Sequence, residues 1–490
     1  MSNFTWIDVS IIAIYFALAM FAGLSVRKYI GKVEDFLVAG REMDVYLGVA
    51  SLAATEFGIV TCMSSAELGY KYGFAGAVAG VCGFLAMLFI GLTGFCVRPL
   101  RESGVMTIPE LFEKRFGSKI RWWSGVVIVL GGLLNMGVFL RTGGEFLVIV
   151  CDIDKQYLEI TMTVMLVAVG IYTVVGGMLS VLVTDYLQFL VMSVGMLLVS
   201  VLTLVNIPWE TLASTVAANY GTGGFNPFVN PNIGWTYIIF QMLVNAAAML
   251  TWQTTIARLL SAKDAKTGQK VYTRTSFFFV CQFVIPGLWG IAALTTLGPG
   301  VEPASHAMPT FLAQTAWPLG VTGLLVAAML AADMSTDSSY MLTWGSVIYN
   351  DLMAPFRKTK WSEKRGLAWN RMIIALIGLF LLVYGLWYPL QQEIWTYLTV
   401  TGTIYLASMS TLLVAACYWP RANSWGAAGA ITLGALIPFA YLVFEAIPAT
   451  REAALSIGAE RAGIAAFVGA GLAMVLGSYL KPGPNVRISS

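Results

Sequence analysis

Apolar runs of about 20 residues or more, separated by short polar connections, recur along all 490 residues of the chain. They lie near 5–26, 47–73, 74–98, 122–150, 157–176, 179–206, 236–258, 274–298, 316–350, 370–388, 394–418, 424–446 and 461–480. Each is long enough to cross a bilayer as a helix, which predicts an all-α integral membrane protein with about 13 transmembrane helices. Two longer stretches are divided by glycine, 47–98 near Gly73 and 157–206 at Gly176-Gly177. The first run has neither a basic segment before it nor a small-residue cleavage site, so it reads as a retained span rather than a signal peptide.

The sparse charges test this count. Basic residues gather in cytoplasmic loops, and following the spans in order puts Arg27, Lys28, Lys32 and Arg41 on one side. The same side receives Arg98, Arg101, Lys114, Arg115, Lys119 and Arg121, then Arg258, Lys263, Lys266, Lys270 and Arg274. It also receives Arg357, Lys358, Lys360, Lys364, Arg365 and Arg371, then Arg421, Lys481 and Arg487. Only Lys71, Lys155, Arg451 and Arg461 fall opposite, and Arg141 lies within a span. A miscounted helix would scramble this alternation. The expected topology is N-terminus outside and C-terminus inside, in a plasma membrane, a bacterial inner membrane by default. The connection 207–235 carries no Lys or Arg and is either an entrance cover or a bare loop.

Composition narrows the class. Hydrophobic residues make up 58% of the chain and charged residues 11%, against roughly 25% charge in a soluble protein. No basic patch is interleaved with aromatics, which argues against nucleic acid. The six cysteines are scattered without metal-ligand or disulfide spacing. The single histidine, His306, falls in an expected exterior loop and reads as a solvated side chain.

Polar chemistry at bilayer depth is concentrated in Leu330-Ala-Ala-Asp-Met-Ser-Thr-Asp-Ser-Ser339. On a helix, positions 332, 335 and 336 share one face, which sets the Ser335 and Thr336 hydroxyls beside the Ala332 carbonyl. Asp333 and Asp337 lie one turn apart on the adjacent face. Hydroxyls alone could serve packing by bonding their own helix, but intramembrane carboxylates are costly without a partner, ion or water. An ion or solute site is the favoured reading. The second span, Ser51-Leu-Ala-Ala-Thr-Glu-Phe-Gly58, joins small residues, a carboxylate and a glycine, the composition of an interrupted helix. Asp185 lies in Thr184-Asp185 with Gln188 on the next turn, and either forms an ion pair or faces a wet cavity. Arg141 and Glu145 at i, i+4 can neutralise one another, or Arg141 can hold a carboxylate.

Two inner-face motifs, Asp35-Phe-Leu-Val-Ala-Gly-Arg41 and Gly104-Val-Met-Thr-Ile-Pro-Glu-Leu-Phe-Glu-Lys-Arg-Phe-Gly117, complete the set. With Gly176-Gly-Met-Leu-Ser-Val-Leu-Val-Thr-Asp-Tyr-Leu-Gln188, Gln253 to Arg258, and Met334-Ser-Thr to Asn350-Asp-Leu352, they occur in an order that resembles the sodium/solute symporter family. That family includes sodium/proline, sodium/glucose and sodium/sialic acid transporters. The resemblance implies a LeuT-type fold of two inverted five-helix repeats. One extra helix (5–26) precedes repeats at 47–206 and 236–418, and two helices (424–480) follow. It implies sodium as the coupling ion, held by the carbonyls of Ala54, Phe57 and Ala332 and the hydroxyls of Ser335 and Thr336. Asp185 falls on an acid that supports a second sodium in some members. Glu56, Asp333 and Asp337 depart from the family pattern and are candidates for a second cation or a proton.

The resulting expectation is sodium-coupled symport, by alternating access, of a small polar organic solute: an amino acid, a carboxylate or a sugar-like compound. Thr61, Arg141, Trp252 and Gln253 are the candidate solute contacts. The alternatives are a proton-coupled or cation-substrate transporter using Glu56, Asp333 and Asp337, or a transporter-like solute sensor. Sensors of this kind usually carry a fused kinase, and the chain ends about ten residues after its last span, which weighs against that reading. No nucleophile–base or metal constellation supports an enzyme. The bilayer and a small solute are the expected partners, and a monomer would suffice.

Overall fold

The computed structural model describes residues 4–353, 356–357, 359, 361–388 and 393–481. Lys358, Lys360 and Arg487 of the charge pattern lie outside these residues. The described chain is helical almost throughout. The main helices are α1 (Trp6–Ser25), α2 (Val45–Glu56), α3 (Ile59–Tyr72), α4 (Val78–Thr93), α5 (Ser118–Met136) and α6 (Phe139–Val150). They continue as α7 (Leu158–Asn206), α8 (Trp209–Tyr220), α9 (Gly234–Thr251), α10 (Gln253–Ser261), α11 (Ala265–Leu297) and α12 (Val321–Val347). The last four are α13 (Glu363–Trp387), α14 (Ile394–Tyr418), α15 (Ser424–Ala446) and α16 (Ala459–Leu480).

Among the described residues, ten helical stretches are long and apolar enough to cross a membrane. The two longest are interrupted within their length. Lys155–Asn206 holds 52 residues and Ile59–Thr93 holds 35, whereas about 20 suffice. The first bends at Gly177, whose φ of 52° places it in the left-handed region. A Cβ there would also lie 2.6 Å from the Phe36 carbonyl, so glycine is required twice over. The second is divided by a short 3₁₀ segment, Gly73–Ala77.

Helix α12 is absent from the ten because its acids and hydroxyls lower its hydropathy. It is nonetheless the most enclosed element, with nearly every residue from Val321 to Val347 buried. A helix buried on all sides carries its polar groups toward neighbours rather than lipid. Asp8 positions its N-terminal end: one oxygen accepts from Thr5 N and Oγ1 at 2.8 and 2.6 Å, closing a cap on α1. The other accepts from Gly323 N at 2.6 Å, satisfying a free amide at the start of α12.

Several expectations require correction. The run 274–298 begins a helix at Ala265, so Lys266, Lys270 and Arg274 ride on α11 rather than in a loop. The connection 207–235 contains helix α8 and a 3₁₀ turn at Gly221–Gly224 instead of a bare loop. Arg258 is not a loop charge at all; it is 0% exposed, inside the bundle.

The two loop motifs brace helix ends. They form short helices at Val33–Val38 and Ile108–Phe116, and Arg41 Nη2 joins them by donating to the Gly104 carbonyl at 2.8 Å. Beneath α12, Asp351 accepts from Thr107 Oγ1 at 2.9 Å and from Arg121 Nε at 2.8 Å. Arg121 also reaches the Asn350 carbonyl at 2.7 Å, so Thr107 of one motif and Asp351 of another, 244 residues apart, meet beside this ion pair.

Candidate functional site

Two helix breaks face α12. The first separates α2 from α3: Phe57 leaves helical geometry at φ −92°, ψ 47°, and Gly58 is extended at ψ 163°. The second separates α9 from α10 at Trp252, with φ −65° and ψ 123°. Each break frees carbonyls on one side and amides on the other.

The α12 hydroxyls fill the first break. Ser335 Oγ lies 2.9 Å from the Ala54 carbonyl and 3.0 Å from the Ala332 carbonyl. Thr336 Oγ1 lies 2.9 Å from the Thr55 carbonyl and 3.0 Å from the Ala332 carbonyl. The close approach depends on Gly58, because a Cβ there would overlap the Thr336 side chain. Ala54, Ala332, Ser335 and Thr336 therefore gather as the sequence suggested. Phe57 contributes no oxygen to this hydrogen-bonded set; Thr336 uses the Thr55 carbonyl instead.

Glu56 bridges the two breaks. Its Oε1 accepts from Thr254 Oγ1 at 2.8 Å and Thr255 Oγ1 at 3.0 Å. A carboxylate at the start of α10 is favoured by the helix dipole. Beside it lies a cavity of about 100 Å³ walled by residues such as Glu56, Thr61, Asn135, Trp252, Asp333 and Thr336. Asp333 and Asp337 are each 1% exposed, and among the described residues none of their four carboxylate oxygens has a hydrogen-bond partner. Asp337 does not reach the cavity wall.

Of the two alternatives for Asp185, the structure shows the ion pair. Its Oδ2 pairs with Arg258 Nη2 at 2.9 Å, and both side chains are 0% exposed. Arg258 also bonds Ser51, Thr55 and Ser339, at 3.0, 2.7 and 2.5 Å. The guanidinium takes Asp185 Oδ2, while Oδ1 is without a hydrogen-bond partner among the described residues.

Two solute candidates lie off the cavity. Gln253 is buried and donates to the Thr251 carbonyl at 3.3 Å. Arg141 lines a second pocket with Lys71, Glu145, His306 and Glu393. It pairs with Glu145 at 3.1 Å, and Glu145 reaches His306 at 3.2 Å. His306 is thus engaged rather than simply solvated. The sequence reading missed Asn135, Asn245, Gln282 and Tyr340, all on the cavity wall. The polar three stand alone in apolar runs, the same signal that singled out Asp185.

Residues 36–434 match the sodium:solute symporter family. The chain belongs to that family. Sodium is the family's coupling ion, and membership makes this protein a transporter rather than an enzyme. Its relatives include a sodium/glucose cotransporter 4 of Danio rerio, 25% identical over 90% of this chain and 72% of its own length. A sodium/mannose cotransporter of Bos taurus is 26% identical over 99% of this chain and 89% of its own length. Among solved structures, a substrate-bound, outward-open sodium-coupled sialic acid symporter superposes with a TM-score of 0.83 over the whole of both chains, at 17% identity. MhsT in complex with L-phenylalanine gives a TM-score of 0.55 at 12% identity, covering 90% of this chain and 98% of its own. These similarities show a LeuT-like, multi-pass helical fold.

Proposed function

We propose that this symporter moves a small polar organic solute inward with sodium, and that sodium binds at the first helix break. The ligands are the carbonyls of Ala54, Phe57 and Ala332 and the hydroxyls of Ser335 and Thr336. The observation that carries this reading is the meeting of both α12 hydroxyls with carbonyls of Ala54, Thr55 and Ala332 at a break in α2–α3. Neutral, hard oxygens suit a monovalent cation that must also leave. An arriving ion takes the Ala54 and Ala332 lone pairs that the hydroxyl protons now occupy, with the Phe57 carbonyl added from the break and the Thr55 carbonyl released. Inward sodium movement supplies the work, about 2.3 kcal/mol per charge for each 100 mV.

The same reading divides the chain into thirteen spans: both long stretches contain two, and α12 is added to the rest. The breaks at Phe57 and Trp252 then fall in corresponding first helices of repeats 47–206 and 236–418, with 5–26 before them and 424–480 after. The N-terminus lies outside and the C-terminus inside a plasma membrane.

Uptake of a labelled solute panel into proteoliposomes, with and without an inward sodium gradient, tests the proposal. Sodium-dependent accumulation that disappears in Ser335→Ala is expected. Accumulation that persists without sodium refutes it. A second reading, proton coupling, draws on the four unpartnered oxygens of Asp333 and Asp337; uptake that follows a pH gradient and ignores sodium would establish it.

A further inference from the structure

The central cavity has a one-sided charge. Glu56 and Asp333 are the ionisable side chains that could carry charge among its lining residues, and both are acids; the lining includes no Lys, Arg or His. The nearby Arg258 is committed elsewhere, to Asp185, Ser51, Thr55, Ser339 and the Thr254 carbonyl. Arg141, the other guanidinium considered for a carboxylate, belongs to the second pocket. A carboxylate-bearing solute entering here would meet two acids and no cation.

The wall also offers aromatic faces. Phe139, Trp252 and Tyr340 line the cavity, with ring centroids 5.0 Å apart for Phe139–Tyr340 and 5.8 Å for Trp252–Tyr340. Trp252 is held from behind by Tyr405, stacked at 5.6 Å, and by a bond from Nε1 to the Tyr340 hydroxyl at 3.0 Å. Rigid aromatic faces beside carboxylates attract an ammonium group through ring quadrupole and charge together. Asp333 adds the second element: it is buried, and both of its oxygens lack any protein donor.

We infer that the solute is an organic cation, an amine or quaternary ammonium compound, whose charged group sits between Glu56, Asp333 and the Trp252–Tyr340 aromatic wall. The inference rests on the proposed transport reading and names its substrate class. Thr336 belongs to both the hydroxyl pair and the cavity wall, so the proposed sodium and solute sites adjoin. A cation seated between Glu56 and Asp333 makes charge-assisted contacts with both carboxyl groups, which an uncharged sugar cannot. Glu56 keeps one oxygen for this purpose, because its threonine donors both use Oε1.

The test is direct binding to purified, full-length protein in nanodiscs, in sodium and in potassium buffers, so that it does not depend on flux. The probes are radiolabelled tetramethylammonium, ethanolamine, glucose and lactate. The expected result is saturable, sodium-dependent binding of at least one of the two cations. Glu56→Gln, which retains an Oε1 acceptor for both threonines, and Asp333→Asn should each weaken that binding at least tenfold. Trp252→Leu should weaken it as well, and Trp252→Phe should restore part of the loss. In Glu56→Gln the sodium concentration needed for thermal stabilisation should stay within twofold of the parent. Sodium-dependent binding of glucose or lactate that neither cation displaces overturns the inference and leaves the transport reading intact. Sodium that neither stabilises the protein nor promotes binding of any probe overturns both.

Discussion

Replacing Arg258 by methionine removes the guanidinium that pairs with Asp185, a carboxylate with no access to solvent. At 2.9 Å, the Arg258–Asp185 attraction is about 6 kcal/mol at an effective dielectric near 20, and burial of both charges offsets much of it. What matters for the variant is the acid left behind. Stripping one partner from a buried pair costs about 3–5 kcal/mol, chiefly the penalty of an uncompensated charge. Four helices share the consequence, because Arg258 on α10 also bonds Ser51 and Thr55 on α2 and Ser339 on α12, while Asp185 belongs to α7. Arg258→Met should therefore destabilise the protein by about 4 kcal/mol, close to a thousandfold in the unfolding equilibrium constant. The double variant Asp185→Leu/Arg258→Met substitutes two apolar side chains of similar volume and should lie within about 2 kcal/mol of the parent. The assay is reversible unfolding in mixed micelles, followed by tryptophan fluorescence, for the parent, both single variants and the double. The cycle should yield a coupling energy above about 2 kcal/mol. A loss below about 1 kcal/mol for Arg258→Met, or strict additivity in the double variant, would refute the argument.

Two further outcomes follow from the site geometry. Gly58→Ala forces a methyl group against Thr336, with its Cβ and Cγ2 only 3.1 and 3.2 Å away; overpacking of this kind costs about 1–3 kcal/mol, and sodium-dependent uptake should fall with stability. Combining it with Thr336→Ala should recover the stability, read by thermal unfolding, but not the sodium dependence. Arg141→Gln should leave equilibrium solute affinity within about threefold of the parent, since a shift below about 0.7 kcal/mol is expected for a group off the cavity wall; a tenfold loss in a binding assay would return Arg141 to the solute site.

The local features of this protein were legible in its sequence because they depend on short-range periodicity. Hydrophobic run lengths marked the helices, and Gly177 announced the bend that its positive φ requires. Glu56-Phe57-Gly58 announced the first break, and i, i+3, i+4 spacing put Ser335, Thr336 and the Ala332 carbonyl on one face. The break at Trp252 was not foreseen, since Thr251-Trp-Gln-Thr-Thr255 contains neither glycine nor proline to signal it.

Partnership was another matter. Asp185 meets an arginine 73 residues later, and Glu56 meets threonines 198 and 199 residues away. Nothing in either local pattern says which helix will pack opposite. Asp185, Glu56 and Asp333 look alike as isolated acids in apolar helices, yet one is ion-paired, one is hydroxyl-bonded across two breaks, and one has no protein partner. A sequence fixes which face of a helix a carboxylate occupies, because that is set by 3.6 residues per turn. Whether the carboxylate is satisfied there depends on the helices brought against it, and only the folded bundle supplies them.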